Sequence, residues 1–386
     1  MPNLCNRIEC TGCGACYNAC PKDAISMQQD KEGFLYPKID NDICIECKKC
    51  EKVCPILGPI YKNDRAAKPF AMISRSEDIR RRSSSGGMFT LLAQYVIGKN
   101  GVVFGASYTN GFNVAHLAVS DEKELDNLRG SKYMQSDTSR TYLEVKQWLK
   151  NGRIVLYTGT PCQIAGLYKF LGKSNVENLY TADLVCHGVP SGLAFNAYLK
   201  KLAQRMNIDV KDIHNFSFRE LERWGITPSF QFTKTEIHQL TPKENLYMML
   251  FLSSRLHRES CYHCKFTTPE RIADVTMADF WGIGKDKPYK HDTSKGCSLV
   301  LANTEKGKAL ISELEDKMYI EEREWDEALL NNTQLHTSSI RPKDRDEAYT
   351  YLFSHDYDTV YNHYFNSPYL RLRRMVGKIL RTLHLR

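Results

Sequence analysis

The sequence predicts a small, cysteine-rich α+β unit followed by a larger α/β unit built on a mixed sheet. Three observations carry this: cysteine concentrated at the N-terminal end, a duplicated spacing within it, and a switch near residue 70 to alternating strand and helix patterns. At 386 residues the chain exceeds a typical domain of roughly 100–150. Its 42% apolar and 25% charged composition excludes a disordered or fibrous chain. Nine of the fourteen cysteines precede residue 55. In a secreted chain that density would suggest a disulfide scaffold. Residues 1–5 carry no basic segment leading into an apolar run, and no window approaches the roughly 18 apolar residues of a membrane span. Reduced thiols with metal-binding work in a cytoplasmic protein are therefore expected.

Residues 1–58 form the first unit. Cys10, Cys13, Cys16 and Cys20 recur as Cys44, Cys47, Cys50 and Cys54, each displaced by 34 residues, and Pro21 recurs as Pro55. The doubled C-x2-C-x2-C-x3-C-P run is that of a ferredoxin-like dicluster domain. Three thiolates on one tight turn can grip three corners of a cubane, and the fourth, ahead of proline, reaches the other cluster. Cys10, Cys13, Cys16 and Cys54 are thus expected on one [4Fe-4S] centre, and Cys44, Cys47, Cys50 and Cys20 on a second. A pair of structural zinc sites competes, but zinc gives no role to a third cysteine and a proline repeated in register. Cys5 lies outside the repeat and reads as a spare thiol.

Residues 59–69 are polar and read as a linker. The second unit spans 70–340, with strand candidates at 70–73, 102–104, 154–157, 179–185 and 298–301 and helical patterns at 142–150, 164–171 and 192–202. Met88, Leu91, Leu92, Tyr95 and Val96 share one face of a further helix. Alternation of this kind gives an α/β domain with a mixed sheet. The stretch 205–290 yields no topology, and a helical extension occupies 341–386.

Cys162 follows the strand at 154–157 through Gly159-Thr160-Pro161, and Cys186 follows the strand at 179–185. Ligands of α/β sheets collect at the carboxyl ends of strands, so these two can face one site, and Cys261 with Cys264 brings the sulfurs to four. From spacing alone two readings stand side by side. One is a third [4Fe-4S] cluster. The other is two buried thiols beside a C-x2-C pair that binds nothing or shares a zinc with His263.

Several motifs run in order between about residues 70 and 303: Ser83-Ser84-Ser85-Gly86-Gly87-Met88-Phe89, Gly130-Ser131-Lys132-Tyr133-Met134-Gln135-Ser136, Gly159-Thr160-Pro161-Cys162-Gln163, Asp183-Leu184-Val185-Cys186-His187-Gly188-Val189-Pro190, Phe216-Ser217-Phe218-Arg219, Cys261-Tyr262-His263-Cys264 and Ala273-Asp274-Val275-Thr276-Met277-Ala278-Asp279-Phe280-Trp281-Gly282. Together they resemble the beta subunits of coenzyme F420-reducing hydrogenases and dehydrogenases. That family of flavin-containing iron–sulfur proteins includes plant chlorophyll-derivative reductases and bacterial members in polysaccharide gene neighbourhoods. Ala278 departs from it where glycine is expected.

The resemblance implies that Cys162, Cys186, Cys261 and Cys264 hold a third [4Fe-4S] cluster, making the second unit a flavin and iron–sulfur domain. FAD is expected against Ser84, Ser85, Gly86 and Gly87, where the start of a helix favours phosphate, with Lys132 as a further partner. The expected function is an iron–sulfur flavoprotein oxidoreductase that passes electrons between its clusters and FAD to act on a small-molecule substrate, with polysaccharide biosynthesis as a setting. His187, Arg219 and Asp279 are the catalytic candidates. The alternative is a non-catalytic electron-transfer subunit of a larger hydrogenase/dehydrogenase-type complex with a redox partner protein. A zinc-stabilised binding module, the third reading, predicts no iron.

The net charge of +8 is uneven: residues 371–386 hold six Arg or Lys and no Asp or Glu, leaving +2 for the rest. Leu372, Met375, Val376, Ile379 and Leu383 fall on one helical face, and Arg371, Arg374, Lys378 and Arg381 on the other. That is the pattern of an interfacial helix drawn to anionic lipid, so peripheral contact at the inner face of the membrane is expected, and no nucleic-acid partner.

Overall fold

The computed structural model describes residues 1–66, 68–172, 176–219, 224–232 and 236–368. The basic tail from residue 371, with its expected lipid contact, lies outside the described residues. In the first unit, strands β1 (Ile25–Gln29) and β2 (Leu35–Ile39) pair antiparallel between two short helices, Ala15–Ala19 and Lys49–Lys52. The 34-residue repeat extends to the backbone. Gly12 and Gly14 have φ of 67° and 78°, and their counterparts Glu46 and Lys48 have 52° and 57°. The same left-handed turn is therefore built twice, once with glycine and once with side chains that strain it by roughly 1–2 kcal/mol per residue.

The second unit begins with β3 (Phe70–Ser74), β4 (Val102–Tyr108), β5 (Val114–Val119), β6 (Val155–Gly159) and β7 (Leu179–Leu184). Short strands β8 (His214–Ser217), β9 (Ser229–Gln231) and β10 (Ile237–Gln239) form a separate antiparallel sheet. The chain returns through β11 (Val275–Asp279), β12 (Ser298–Ala302) and β13 (Met318–Glu322) to complete an eight-stranded sheet ordered β13-β3-β12-β11-β7-β6-β4-β5. Its centre, β11-β7-β6-β4, is parallel, and the flanking pairings are antiparallel. The sheet is mixed, as the sequence predicts.

The helix Met88–Gly98 buries Met88, Leu91, Leu92 and Val96, and Leu92 is 0% exposed. Replacing Leu92 by alanine is expected to cost about 2–5 kcal/mol through lost burial and the remaining cavity, read as a lower urea midpoint. In the region that gave no topology, Tyr247 and Phe251 of the helix Leu246–Leu252 join Phe195, Phe216, Phe218 and Phe230 in an aromatic core. Among the described residues no helix is long and apolar enough to cross a membrane.

The first unit is packed against the second. Cys13 and Ala15 share a core with Tyr142, Tyr157 and Ile164, and the Tyr142 hydroxyl donates to the Cys13 carbonyl at 2.7 Å. Gly166 permits the approach, since a Cβ there would lie 2.9 Å from Cys13 Sγ. Arg345 grips Glu32 through two hydrogen bonds of 2.6 and 2.7 Å, and Arg140 meets Asp23 at 2.7 Å. The stretch expected as a linker is itself tied down: Asn63 N donates to the Arg271 carbonyl at 2.8 Å, and Ala66 is buried.

Candidate metal centres

The cysteines of the first unit surround two cavities. Cys10, Cys13, Cys16 and Cys54 line one, and Cys20, Cys44, Cys47 and Cys50 line the other. Each cavity takes three sulfurs from one repeat and the fourth from its copy. The reason is local: each C-x3-C step spans a short helix, about one turn, which separates its last cysteine from the preceding three. Cys5, read as a spare thiol, also stands on the wall of the first cavity. Burial, then Cys10 and Cys54, push its pKa up to about 12. Nothing in the repeat marks this position.

The structure brings Cys162, Cys186, Cys261 and Cys264 around a third cavity at the carboxyl ends of β6 and β7. Thr160 caps the helix Pro161–Leu171 in a reciprocal box with Gln163, which fixes Cys162 in its first turn. Cys261 lies in the 3-10 turn Glu259–His263, with Cys264 as its C-cap. His263 is exposed and does not line the cavity, so the structure does not bring it to the four sulfurs. Burial, then Cys162, holds Cys186 up at about 12, and burial holds Cys162 up at about 11. Four soft donors without a carboxylate among them suit iron–sulfur or zinc, and a cationic core stabilises thiolates placed this closely. Among the described residues no group of three or more Cys, His, Asp or Glu is drawn together as for a single metal ion.

Beside the third set opens a cavity of about 560 Å³, within the roughly 300–1,000 Å³ of small-molecule sites. Cys162, Cys186 and His187 line both spaces. Ser84, Ser85, Gly87 and Lys132 line the larger one. The Ser85 hydroxyl is buried without a partner, and Gly87, at φ 101°, begins the helix Met88–Gly98. Gly86 is not on the wall. A Cβ there would lie 2.1 Å from the Met72 carbonyl, so glycine is required for the loop to cross β3, and its N–H donates to Ser298 Oγ at 3.0 Å. Lys132 donates to the carbonyls of Arg129 at 2.8 Å and Gly130 at 3.3 Å, and burial lowers its pKa to about 7.

His116 belongs to the same wall and escaped sequence reasoning. It sits 2.8 Å from the Thr158 carbonyl through Nε2 and 2.7 Å from Ser136 Oγ through Nδ1. The carbonyl can only accept, so Nε2 carries the proton and Ser136 donates to Nδ1. Burial holds the pKa at about 4 and the ring neutral.

The catalytic candidates are each held by neighbouring groups. Arg219 makes two hydrogen bonds to Asp279, at 2.8 and 2.9 Å, and further bonds to Tyr133 Oη and the Ser84 carbonyl, each at 2.9 Å. Trp224 Nε1 donates to Asp279 at 2.7 Å and stacks on Trp281 at 4.9 Å. His187 packs edge-on against Phe251 and His257, and burial lowers its pKa. Arg219 and Asp279 thus brace the cavity wall and neutralise one another.

Residues 152–328 match the family model for the C-terminal part of the coenzyme F420 hydrogenase/dehydrogenase beta subunit, and residues 9–56 match that of the 4Fe-4S dicluster domain. The chain thus carries the C-terminal part of such a beta subunit behind a 4Fe-4S dicluster domain. A similar protein, the F subunit of the F420H2 dehydrogenase of Methanosarcina mazei, is 21% identical over 323 residues, covering 81% of this chain and 84% of that protein. An uncharacterized ferredoxin of Methanocaldococcus jannaschii is 38% identical over 59 residues, 15% of this chain and 75% of its own length. The solved F420-reducing [NiFe] hydrogenase complex of Methanosarcina barkeri aligns with a TM-score of 0.49 and 16% identity over 70% of this chain and 89% of that one.

These matches correct one expectation. The chain is not read as a self-contained flavin- and iron–sulfur-dependent enzyme: the model matched over residues 152–328 is that of a subunit, and the relative that spans most of the chain is a subunit. Two of the three catalytic candidates, Arg219 and Asp279, are closed into an ion pair and supply no free acid or base. The iron–sulfur reading stands, because the first unit is a [4Fe-4S] dicluster domain.

Proposed function

We propose that the chain is the iron–sulfur electron-transfer subunit of a hydrogenase/dehydrogenase-type complex and exchanges electrons with a protein partner. In this reading Cys20, Cys44, Cys47 and Cys50 hold one cluster, Cys10, Cys13, Cys16 and Cys54 a second, and Cys162, Cys186, Cys261 and Cys264 a third. What supports it is the succession of cavities. In the dicluster domain each four-cysteine cavity takes its fourth sulfur from the other repeat, Thr11 lines both the Cys10 cavity and the third one, and the third opens on the 560 Å³ cavity. Electrons thus have a short route from the first unit to a small-molecule-sized space. The dehydrogenase subunit that aligns over 323 residues favours such a complex over work in polysaccharide biosynthesis.

FAD in the larger cavity is the finer proposal. It rests on the volume, the unpartnered Ser85 hydroxyl and the helix start at Gly87. A bound flavin supplies exchange between one-electron clusters and a two-electron partner. Ser84, Ser85 and Gly87 would face it, while Lys132, already bonded to two carbonyls, would shape the wall.

Iron, sulfide and flavin counted in the anaerobically purified full chain test these assignments. About twelve iron and twelve sulfide are expected for three clusters. About eight iron would remove the third, and iron without flavin would remove FAD alone. Turnover of a small molecule by the isolated chain would overturn the subunit reading.

A further inference from the structure

Among the described residues three arginines have fully buried side chains, Arg258, Arg271 and Arg345. Two have carboxylate partners: Arg271 meets Asp183 at 3.2 Å, and Arg345 meets Glu32 at 2.6 Å. Arg258 does not. Its Nε donates to the Cys10 carbonyl at 2.7 Å, one terminal nitrogen to Gln135 Oε1 at 3.0 Å, and the other to the Leu35 carbonyl at 3.0 Å and Cys10 Sγ at 3.7 Å. Its guanidinium lies 4.0 Å from the centroid of the Tyr36 ring and 5.4 Å from that of Phe34. Among the described residues each hydrogen-bond partner is a carbonyl, an amide or the sulfur. A guanidinium remains charged, and a buried charge without a counter-charge is strongly disfavoured. Negative charge must therefore lie close by.

The surroundings say where. Arg258 bonds the sulfur of Cys10 on one side and lines the cavity of Cys162, Cys186, Cys261 and Cys264 on the other. Four thiolates on an iron–sulfur core leave a net negative charge, and clusters respond to the hydrogen bonds and charges around them. We propose that Arg258 is the shared counter-charge of two centres, raising the reduction potential of the Cys10-Cys13-Cys16-Cys54 centre and linking it electrostatically to the third. This rests on the three-cluster reading above. In the transfer it serves, one electron leaves one centre and enters the other. The first is oxidised by one, the second reduced by one, no bond breaks, and the guanidinium keeps its proton.

The test is a redox titration, followed by electron paramagnetic resonance, of the full chain purified anaerobically as wild type, Arg258→Gln and Gln135→Glu. The first variant removes the charge. The second sets a carboxylate against it. Each is expected to keep the iron of the first unit and to lower the midpoint of its Cys10-side centre by at least about 59 mV, a tenfold change in the equilibrium for one electron, because reduction then adds negative charge with less compensation. Unchanged midpoints in an iron-loaded variant overturn the proposal. If Arg258→Gln does not fold, Gln135→Glu decides alone by the same criterion. Wild-type protein with about eight iron atoms would instead remove the third cluster, leaving the shift at the Cys10-side centre still measurable.

Discussion

Cys261→Ala is expected to reduce the iron of the purified chain from about twelve atoms to about eight, with the signals of the first unit unchanged. Cys261 lies in a turn of the second unit and lines the third cavity, not the other two. Its loss removes one of four donors from a set whose other members are its neighbour Cys264 and the distant Cys162 and Cys186. Cys5→Ala gives the contrast: although Cys5 stands on the wall of the first cavity, the duplicated cysteines complete that set without it, and about twelve iron atoms should remain. Iron analysis beside sulfide analysis checks both. Loss of a cluster in Cys5→Ala would make Cys5 a ligand and displace one of the four cysteines assigned there.

The second large effect is expected at the buried pair beneath the third set. Asp183 and Arg271 are 0% and 1% exposed and 3.2 Å apart, and Arg271 also donates to the carbonyls of Phe266 at 2.9 Å and Leu184 at 2.8 Å. Asp183→Leu strands the guanidinium in the interior and should cost about 3–5 kcal/mol. Replacing both residues, Asp183→Leu with Arg271→Met, should recover much of that loss, because the burden lies in the unpaired charge. Anaerobic urea denaturation of both variants tests this, and equal midpoints for the single and double variants would refute it.

What could be read from the sequence was what leaves a local trace. The 34-residue repeat is visible because the same left-handed turn and the same sulfurs must be specified twice. The face of Met88, Leu91, Leu92 and Val96 is visible because a helix packed on a sheet imposes its period on the sequence. β9 and β10, three residues each, are too short to show any period, so the region 205–290 stayed unread. The packing of the first unit against the second was equally hidden. Arg140, Arg258 and Arg345 meet partners more than a hundred residues away, and an arginine in a sequence does not reveal its partner. Gly86 shows the opposite error. A glycine beside serines at a helix start suggests a ligand, yet here the Met72 carbonyl sets the requirement.

The Glu32–Arg345 clamp also has a consequence in time. Its partners are 313 residues apart, and at roughly 5–20 residues per second a ribosome takes roughly a quarter of a minute to a minute to make the second after the first. For that interval the nascent first unit lacks its final fastening.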